Sequence, residues 1–365
     1  MKVFILADIN SPHTQKWVRG LIGQGIEVFV FSLGNASENF FLGLANQPVL
    51  YSASIAVSGR SSVKTKMTYL KALPLVKRII RTHKPDILHA FYATSYGLLG
   101  ALTGFQPFCI SVWGSDVFSF PSKSIFFAKG LELIFSRAMI VWSTSKAMEV
   151  QTRKFFKGPI EVIPFGISFA DFSTVHTKKG KMMRFAVVKS LSEIYNIHLV
   201  ISAFAELAEA NEQLAAELHI AGDGHLRKKL ERLAGKWKDS KIFFHGNIPN
   251  LKIPKFLENK DILFNVSEFE SFGVSVIEAS AMGLAVVTSN RGGLVEVVQD
   301  QVTGVMLTHL TQQSVLEAMV FFLKNPHLAE IMGKAGREFV LENFDFNKNL
   351  DQQISAYKQI LKNEH

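Results

Sequence analysis

Stretches typical of buried strands alternate with helical patterns along this chain, and the series runs twice. The first series has strands at 1–8, 27–32, 85–89, 111–113 and 138–143. The second series has strands at 183–188, 217–221, 241–244, 262–265 and 285–288. Helical patterns lie at 13–23, 197–207 and 276–282. Because strands that alternate with helices form doubly wound parallel sheets, the sequence predicts two α/β domains.

The interruption between the two series indicates where the domains meet. Pro164, Gly166 and the polar segment 174–180 break the pattern, so we expect an N-terminal domain at 1–168 and a C-terminal domain at 169–345. The last segment, 346–365, is predicted to be a helix that packs back on the N-terminal domain. Since ligands of open α/β sheets bind at the carboxyl ends of the strands, we expect the active site in a cleft between the two domains.

Composition excludes several classes of protein. Hydrophobic residues make up 48% of the chain and charged residues 19%, which argues against disorder. Cys109 is the single cysteine, so it forms neither an internal disulfide nor a metal-binding cluster. The apolar run 3–7 is too short for a secretion signal, and we find no apolar stretch of roughly 18 residues that could span a membrane. We therefore expect a cytoplasmic protein.

A strongly basic stretch precedes the third predicted strand. It contains no acidic residue, and its basic residues are Arg60, Lys64, Lys66, Lys71, Lys77, Arg78, Arg81 and Lys84. One interpretation is a solvated helix face. A second is binding to nucleic acid, which we do not expect because no binding motif accompanies the charge. A third is peripheral contact with an anionic membrane, because apolar residues from Met67 to Ile80 are interleaved with the basic ones.

The most informative motif runs from Ser267 to Val274 and continues to Glu278. It follows a predicted strand and leads into a predicted helix. Backbone N–H groups at the start of such a helix favour an anion. The two carboxylates, Glu270 and Glu278, suit the hydroxyl groups of a ribose or a hexose. The pattern therefore indicates a site for a phosphorylated sugar compound.

Glu270 and Glu278, embedded in Glu-Ser-Phe-Gly-Val and Ile-Glu-Ala-Ser-Ala-Met-Gly, resemble the two-glutamate signature of glycosyltransferase family four. The resemblance extends to 163–167, to Ala221-Gly222-Asp223-Gly224 and to Gly292-Gly293, and more loosely to the N-terminal half. In the glycine-rich turn, Arg227 stands where a dinucleotide fingerprint has its third glycine, so we expect no nicotinamide site. The family is a retaining one with the GT-B fold, in which two Rossmann-like domains face each other across a cleft.

The resemblance implies a role for each matching residue. Glu270 would contact the hydroxyl groups of the donor sugar, the backbone of Ser271, Phe272, Gly273 and Val274 would hold sugar and phosphate, and Glu278 would bind the ribose. Lys189 stands where the family usually has a phosphate-binding arginine. Glu270, Lys189 and Asp116 are thus the predicted catalytic residues, and His13, His89 and Asp116 are predicted to lie on the acceptor side.

Two positions depart from the family pattern. The second basic residue expected near the phosphates is replaced by Ile194, which either lies at the surface or packs in the core. The second histidine of a His-x-His pattern is replaced by Phe91, so His89 stands alone. A lone histidine at a strand end is more often a packed residue than a catalytic one.

The resemblance implies a glycosyltransferase that uses a UDP- or GDP-linked sugar as substrate, with no cofactor and no metal ion. Its acceptor would be a glycan or a lipid-linked saccharide in cell-surface polysaccharide synthesis. The Phe-rich helix predicted at 124–135 suits a membrane-surface acceptor, and core packing explains its phenylalanines equally well. Two alternatives remain open, namely a UDP-sugar epimerase of the same fold and a non-catalytic protein that binds sugar nucleotides. Ile194 and Phe91 favour the second.

Overall fold

The computed structural model describes residues 1–35, 38–44, 46–53, 68–172, 180 and 182–363. These residues form two compact units. Unit 1 comprises Met1–Phe165 and the chain from Asn347 onward, and unit 2 comprises Gly166–Phe346. The chain therefore passes from one unit to the other twice, at 165–166 and at 346–347.

Unit 1 contains a seven-stranded parallel sheet with the strand order β3-β2-β1-β4-β5-β6-β7. Its strands are β1 (Lys2–Leu6), β2 (Glu27–Ser32), β3 (Val49–Ser52), β4 (Ile87–Phe91), β5 (Phe108–Val112), β6 (Ile140–Ser143) and β7 (Ile160–Val162). The central strands β4 and β5 are buried along their whole length. Strands buried on both faces read as continuous apolar runs, which is why the sequence pattern identifies them.

The helices that precede the unit boundary are α1 (Pro12–Gly23), α2 (Leu73–His83), α3 (Tyr96–Thr103), α4 (Ile125–Phe135) and α5 (Lys146–Thr152). Helix α1 begins with Pro12 at its first turn, where the missing N–H costs nothing, and it buries Trp17, Val18 and Leu21 on one face. In the described part of the chain, no helix combines the length and the hydropathy needed to cross a bilayer.

The basic stretch lies partly outside the described residues, because Arg60, Lys64 and Lys66 are among those not described. The remaining members, Lys71, Lys77, Arg78, Arg81 and Lys84, are exposed on or beside α2. The prediction that the interleaved apolar residues face an interface is wrong for Val76 and Ile79, because both are buried in the core of unit 1. The side chains that this helix exposes are therefore mainly charged, whereas Val76 and Ile79 on its apolar face are buried.

Unit 2 contains a six-stranded parallel sheet with the order β10-β9-β8-β11-β12-β13. Its strands are β8 (Met183–Val188), β9 (Ala216–Ala221), β10 (Ile242–Gly246), β11 (Ile262–Asn265), β12 (Ala285–Ser289) and β13 (Gly304–Leu307). The helices are α6 (Ile197–Ala210), α7 (Arg227–Ala234), α8 (Ile253–Leu257), α9 (Val274–Ala281), α10 (Leu294–Val297), α11 (Gln312–Lys324) and α12 (Pro326–Asn343). Strands β8 and β11 are neighbours, with Ile262 opposite Phe185, although about 75 residues separate them in sequence.

The last helix, α13 (Phe346–Asn363), belongs to unit 1 from Asn347 onward. Within unit 1, Tyr357 is fully buried and packs edge-on against Trp142, with 5.5 Å between the ring centroids. Asn349 Nδ2 donates a hydrogen bond to the carbonyl of Pro164 at 2.9 Å. This late segment therefore completes a core that the first 165 residues begin.

Candidate functional site

Two strand ends bring the predicted cation and the predicted sugar-binding carboxylate together in unit 2. Lys189 follows β8 directly, and Glu270 lies in the loop after β11. Because β8 and β11 are parallel neighbours, their carboxyl ends meet at one edge of the sheet. There Lys189 Nζ forms an ion pair with Glu270 Oε2. Both side chains are about seven-eighths buried, with exposed fractions of 13% and 14%.

The surroundings of this pair are polar and aromatic. Ser267 Oγ lies 2.5 Å from Asn265 Oδ1 and 3.5 Å from Glu270 Oε2. The Lys189 ammonium lies over the ring of Tyr195, 5.1 Å from its centroid. The largely buried ammonium and carboxylate are partners of each other here. An incoming anion would therefore compete with Glu270 for Lys189, and the hydroxyl groups of a sugar could then donate hydrogen bonds to Glu270.

Two glycines hold the Glu270 loop in place. Gly293 N donates to the carbonyl of Glu270 at 2.8 Å. A Cβ atom on Gly292, whose φ is +57°, would lie 2.3 Å from that carbonyl oxygen, and a Cβ on Gly293 would lie 2.4 Å from the carbonyl oxygen of Ser271. No larger residue fits at either position. The loop after β12 therefore fixes the backbone that carries Glu270.

Helix α9 begins immediately after this loop. Gly273 is its N-cap residue, with φ of +107°, and has no side chain with which to cap the first-turn N–H groups. Those groups and the helix dipole favour an anion. Glu278 lies on this helix and is half-buried. The side chain of Phe272, however, is buried and packs against Phe344 at 5.5 Å between centroids, so only its backbone is available to a ligand.

The loop after β8 contains the position that departs from the family pattern. Ile194 is 40% exposed, so the alternative that it packs in the core is wrong. Its carbonyl accepts a hydrogen bond from the N–H of Glu268 at 2.7 Å, which ties this loop to the Glu270 loop. The glycine-rich turn supports it from the other side, because a Cβ on Gly224 would lie 2.4 Å from the carbonyl oxygen of Leu191.

Sequence reasoning missed one cation of this site. Arg291 Nη1 forms an ion pair with Glu268 Oε1 at 2.7 Å, and both side chains are about half exposed. Arg291 precedes the glycine pair that packs on the Glu270 loop, and this was the signal in the sequence that could have identified it. Arg291 thus binds the carboxylate of Glu268, and Lys189 binds that of Glu270, at the two ends of the segment 268–270.

The residues predicted for the acceptor side lie in unit 1 and are largely committed to internal contacts. His89 is 1% exposed, with its Nδ1 2.6 Å from Tyr357 Oη and its Nε2 2.8 Å from Ser111 Oγ. Burial lowers the pKa of His89 to about 3, so the ring is neutral. The geometry supports the packed interpretation of His89 rather than the predicted contact with an acceptor. Phe91, the other departure, is buried beside it, 4.6 Å away between centroids.

Asp116 is fully buried at the turn after β5. Its carboxylate accepts hydrogen bonds from the N–H groups of Ala93 at 3.0 Å, Gly114 at 2.8 Å and Trp113 at 3.2 Å. Burial raises the pKa of Asp116, against the lowering effect of these bonds. The predicted catalytic role stays a prediction, and the observed contacts assign the carboxylate to holding two loops together.

His13 lies in the first turn of α1 and is half-buried. Its ring stacks on Phe165, with 4.1 Å between the centroids, and meets Trp113 edge-on at 6.0 Å. Burial, followed by the charge of Lys16, lowers the pKa of His13 to about 4. A neutral imidazole is a hydrogen-bond donor and acceptor, and the prediction that it contacts an acceptor stays a prediction.

Comparison with known proteins identifies the class of enzyme. The family model described as glycosyl transferases group 1 matches residues 169–339, and the model described as glycosyl transferase 4-like matches residues 2–145. A relative from Bacillus anthracis, N-acetyl-alpha-D-glucosaminyl L-malate synthase, is 24% identical over 341 residues, which cover 87% of this chain and 86% of that protein.

Solved structures agree on the fold. Sucrose-phosphate synthase from Thermosynechococcus elongatus superposes with a TM-score of 0.85 at 18% identity, over 99% of each chain. HepE from Anabaena, solved in complex with UDP and glucose, gives a TM-score of 0.77 at 18% identity, over 98% of this chain and 99% of that one. With two parallel-sheet units and a glycosyltransferase model matched to each half, the chain is a glycosyltransferase of the GT-B fold.

Proposed function

We propose that this glycosyltransferase moves a sugar from a UDP- or GDP-linked donor to a saccharide or lipid-linked saccharide in cell-surface polysaccharide synthesis, with retention of the anomeric configuration. The observation that carries the proposal is the Lys189–Glu270 ion pair at the meeting point of β8 and β11, beside the start of α9, where the N-cap residue is a glycine. A nucleotide diphosphate needs a cation and amide donors, and a sugar needs a carboxylate. This edge of the sheet supplies all of them.

Each residue then has a defined task. The donor diphosphate binds to the Lys189 ammonium and to the N–H groups of the segment 271–274. Because Lys189 then no longer pairs with Glu270, Glu270 can accept hydrogen bonds from the sugar. Glu278 accepts hydrogen bonds from the ribose. Charge on the leaving diphosphate grows as the glycosidic bond breaks, and preorganised donors stabilise that charge without further rearrangement. Arg291, paired with Glu268 at the same loop, adds the second positive charge that Ile194 cannot supply.

Nucleotide binding tests the donor site. The wild-type protein is titrated with UDP, GDP and their glucose conjugates by calorimetry, and Glu278→Ala is compared with it. Charge-assisted hydrogen bonds contribute about 1.5–3 kcal/mol each, so the variant should lose at least tenfold in affinity for the bare nucleotide. Unchanged affinity in a folded Glu278→Ala protein would refute the ribose assignment.

Product analysis tests the reaction. Incubation of a labelled nucleotide sugar with and without saccharide acceptors should give an acceptor-dependent, retained glycoside. An isomerised nucleotide sugar that forms without acceptor would instead show an epimerase, and tight binding without turnover would show a non-catalytic protein. L-malate belongs in the acceptor panel because the Bacillus anthracis relative is named for it.

Association with an anionic membrane is a second part of the proposal. Lys71, Lys77, Arg78, Arg81 and Lys84 are exposed and close in sequence, and each basic residue at a membrane surface contributes about 1 kcal/mol. Flotation with vesicles that contain anionic lipid should recover the protein at low salt and lose it at high salt. Absence of binding at low salt would leave this stretch as a solvated face.

A further inference from the structure

An open apolar groove lies between helices α3 and α4 of unit 1, and none of the residues predicted for catalysis lines it. Its volume is about 520 Å³, within the range of about 300–1,000 Å³ typical of ligand sites. On α4, the lining residues Phe126, Gly130 and Leu133 recur every three or four positions, as one helix face requires, and Arg137 lines the groove just beyond the end of this helix. On α3, Leu98, Ala101 and Leu102 line the other side, and Thr94 lines it just before this helix begins.

The rim of the groove exposes large apolar side chains that a monomer in water would be expected to cover. Phe126 is 80% exposed, Leu133 is 65% exposed and Leu102 is 43% exposed, while neighbouring Ile125 is 65% exposed. The same helix buries Leu131 and Phe135 in the core, so α4 is apolar on two faces. Contiguous exposed apolar surface of this kind marks a binding site.

The charges beside the groove indicate which kind of molecule it takes. Among the described residues that line it, Arg137 alone is charged. The groove also borders the basic stretch, because Leu70 lines it and Lys71 follows. One guanidinium beside an apolar channel matches an amphiphile with one anionic head and one hydrocarbon chain.

We infer that the groove between α3 and α4 binds the hydrocarbon chain of an anionic lipid, with Arg137 at its phosphate. The inference rests on the proposed function and deepens it, since it gives an anionic lipid of the membrane a specific site on unit 1. The lining is mostly apolar, so each methylene group of a hydrocarbon chain that it buries is favourable.

Glycine substitution provides the test. A Cβ atom on Gly130 would meet no atom within 4 Å, and Gly130 lies inside a helix, so Gly130→Leu fills the groove without straining the fold. Gly23, the last residue of helix α1 in unit 1, is the control, because a Cβ atom there would also meet no atom within 4 Å and because Gly23 does not line the groove. Arg137→Gln removes the charge and leaves the channel open.

The measurement is calorimetric titration with dodecyl phosphate below its micelle concentration, and with dodecanol and inorganic phosphate as separate probes, without nucleotide or acceptor. We expect one dodecyl phosphate per chain, weaker dodecanol binding and no binding of phosphate alone. Gly130→Leu should lose at least tenfold in dodecyl phosphate affinity, and Gly23→Leu should lose none. Arg137→Gln should bind dodecyl phosphate no better than dodecanol.

Equal affinity in Gly130→Leu and wild type would overturn the inference. So would self-association of the wild-type protein that Gly130→Leu abolishes without amphiphile binding, because the groove would then be covered by a second copy. Titration of the wild-type protein and the same variants with UDP and GDP distinguishes the two proposals. Absence of nucleotide binding by the wild-type protein would refute the donor site and leave the amphiphile result unaffected.

Discussion

The loop around Glu270 in unit 2 and the strand ends around His89 and Asp116 in unit 1 use polar residues in opposite ways. Glu270 and Lys189 pair with each other at a sheet edge and keep part of their surface exposed. His89 and Asp116 are fully enclosed, and neighbouring hydroxyl and N–H groups occupy their polar atoms. A polar residue at the end of a strand is thus a functional candidate only when a ligand can reach it and displace its present partner.

The largest effect that this comparison predicts is at Lys189. Lys189→Ala should lower kcat about 10²–10³-fold, because it removes a preorganised cation from the leaving diphosphate. Lys189→Arg should keep most of the activity, and Lys255→Ala, at an 81% exposed lysine of the same unit, should keep all of it. Steady-state transfer assays measure this. Normal turnover in Lys189→Ala would show that the Lys189 ammonium does not stabilise the leaving diphosphate.

Asp116 should behave differently from Lys189. Asp116→Ala leaves backbone N–H groups of two loops without their acceptor, and a hydrogen bond to a charged group contributes about 1.5–3 kcal/mol. We expect a loss of that size in the free energy of unfolding, measured by denaturant titration, that exceeds the loss in turnover per folded molecule. Asp351→Ala on the exposed face of α13 is the control. A stable but inactive Asp116→Ala protein would restore the catalytic assignment.

The pH dependence of stability tests His89. Its pKa falls from an ordinary value of 6.5 to about 3 in the folded protein, so the unfolded chain binds the proton first as the pH falls. The stabilisation is complete above pH 6.5 and is lost progressively below it, by about 2 kcal/mol between pH 6.5 and 5. His89→Gln should reduce that slope in denaturant titrations. An unchanged slope would mean that the histidine is not buried as a neutral ring.

The smallest effect is expected at Ile194. Because this side chain is exposed, Ile194→Lys should not lower the melting temperature, and it should tighten binding of nucleotide diphosphates by a few-fold, in the range of exposed ion pairs. Leu251→Lys adds the same charge at another exposed apolar residue of unit 2. Equal gains in both variants would indicate a general charge effect rather than a site.

The sequence predicts several strands well and the partners poorly: β3, β7 and β13 are not predicted, and β5 lies at Phe108–Val112 rather than at 111–113. Strands β2, β8 and β11 begin and end where their apolar runs predict. Residue spacing within a strand or helix reveals its buried face, but it does not reveal which strand ends become neighbours. The Lys189–Glu270 pair joins positions 81 apart, and the contact of His89 with Tyr357 joins positions 268 apart. Such contacts depend on strand order and on the return of the chain, which local pattern does not encode.

The discontinuity of unit 1 has a consequence for synthesis. A ribosome releases about 5–20 residues per second, and domains usually fold as they emerge. Unit 2 has all of its residues once Phe346 has been released, but unit 1 lacks the side chain that covers His89 and Trp142 until Tyr357 follows. The half of the protein that is made first is therefore finished last, because His89 and Trp142 lack the Tyr357 contact until the last helix has been released.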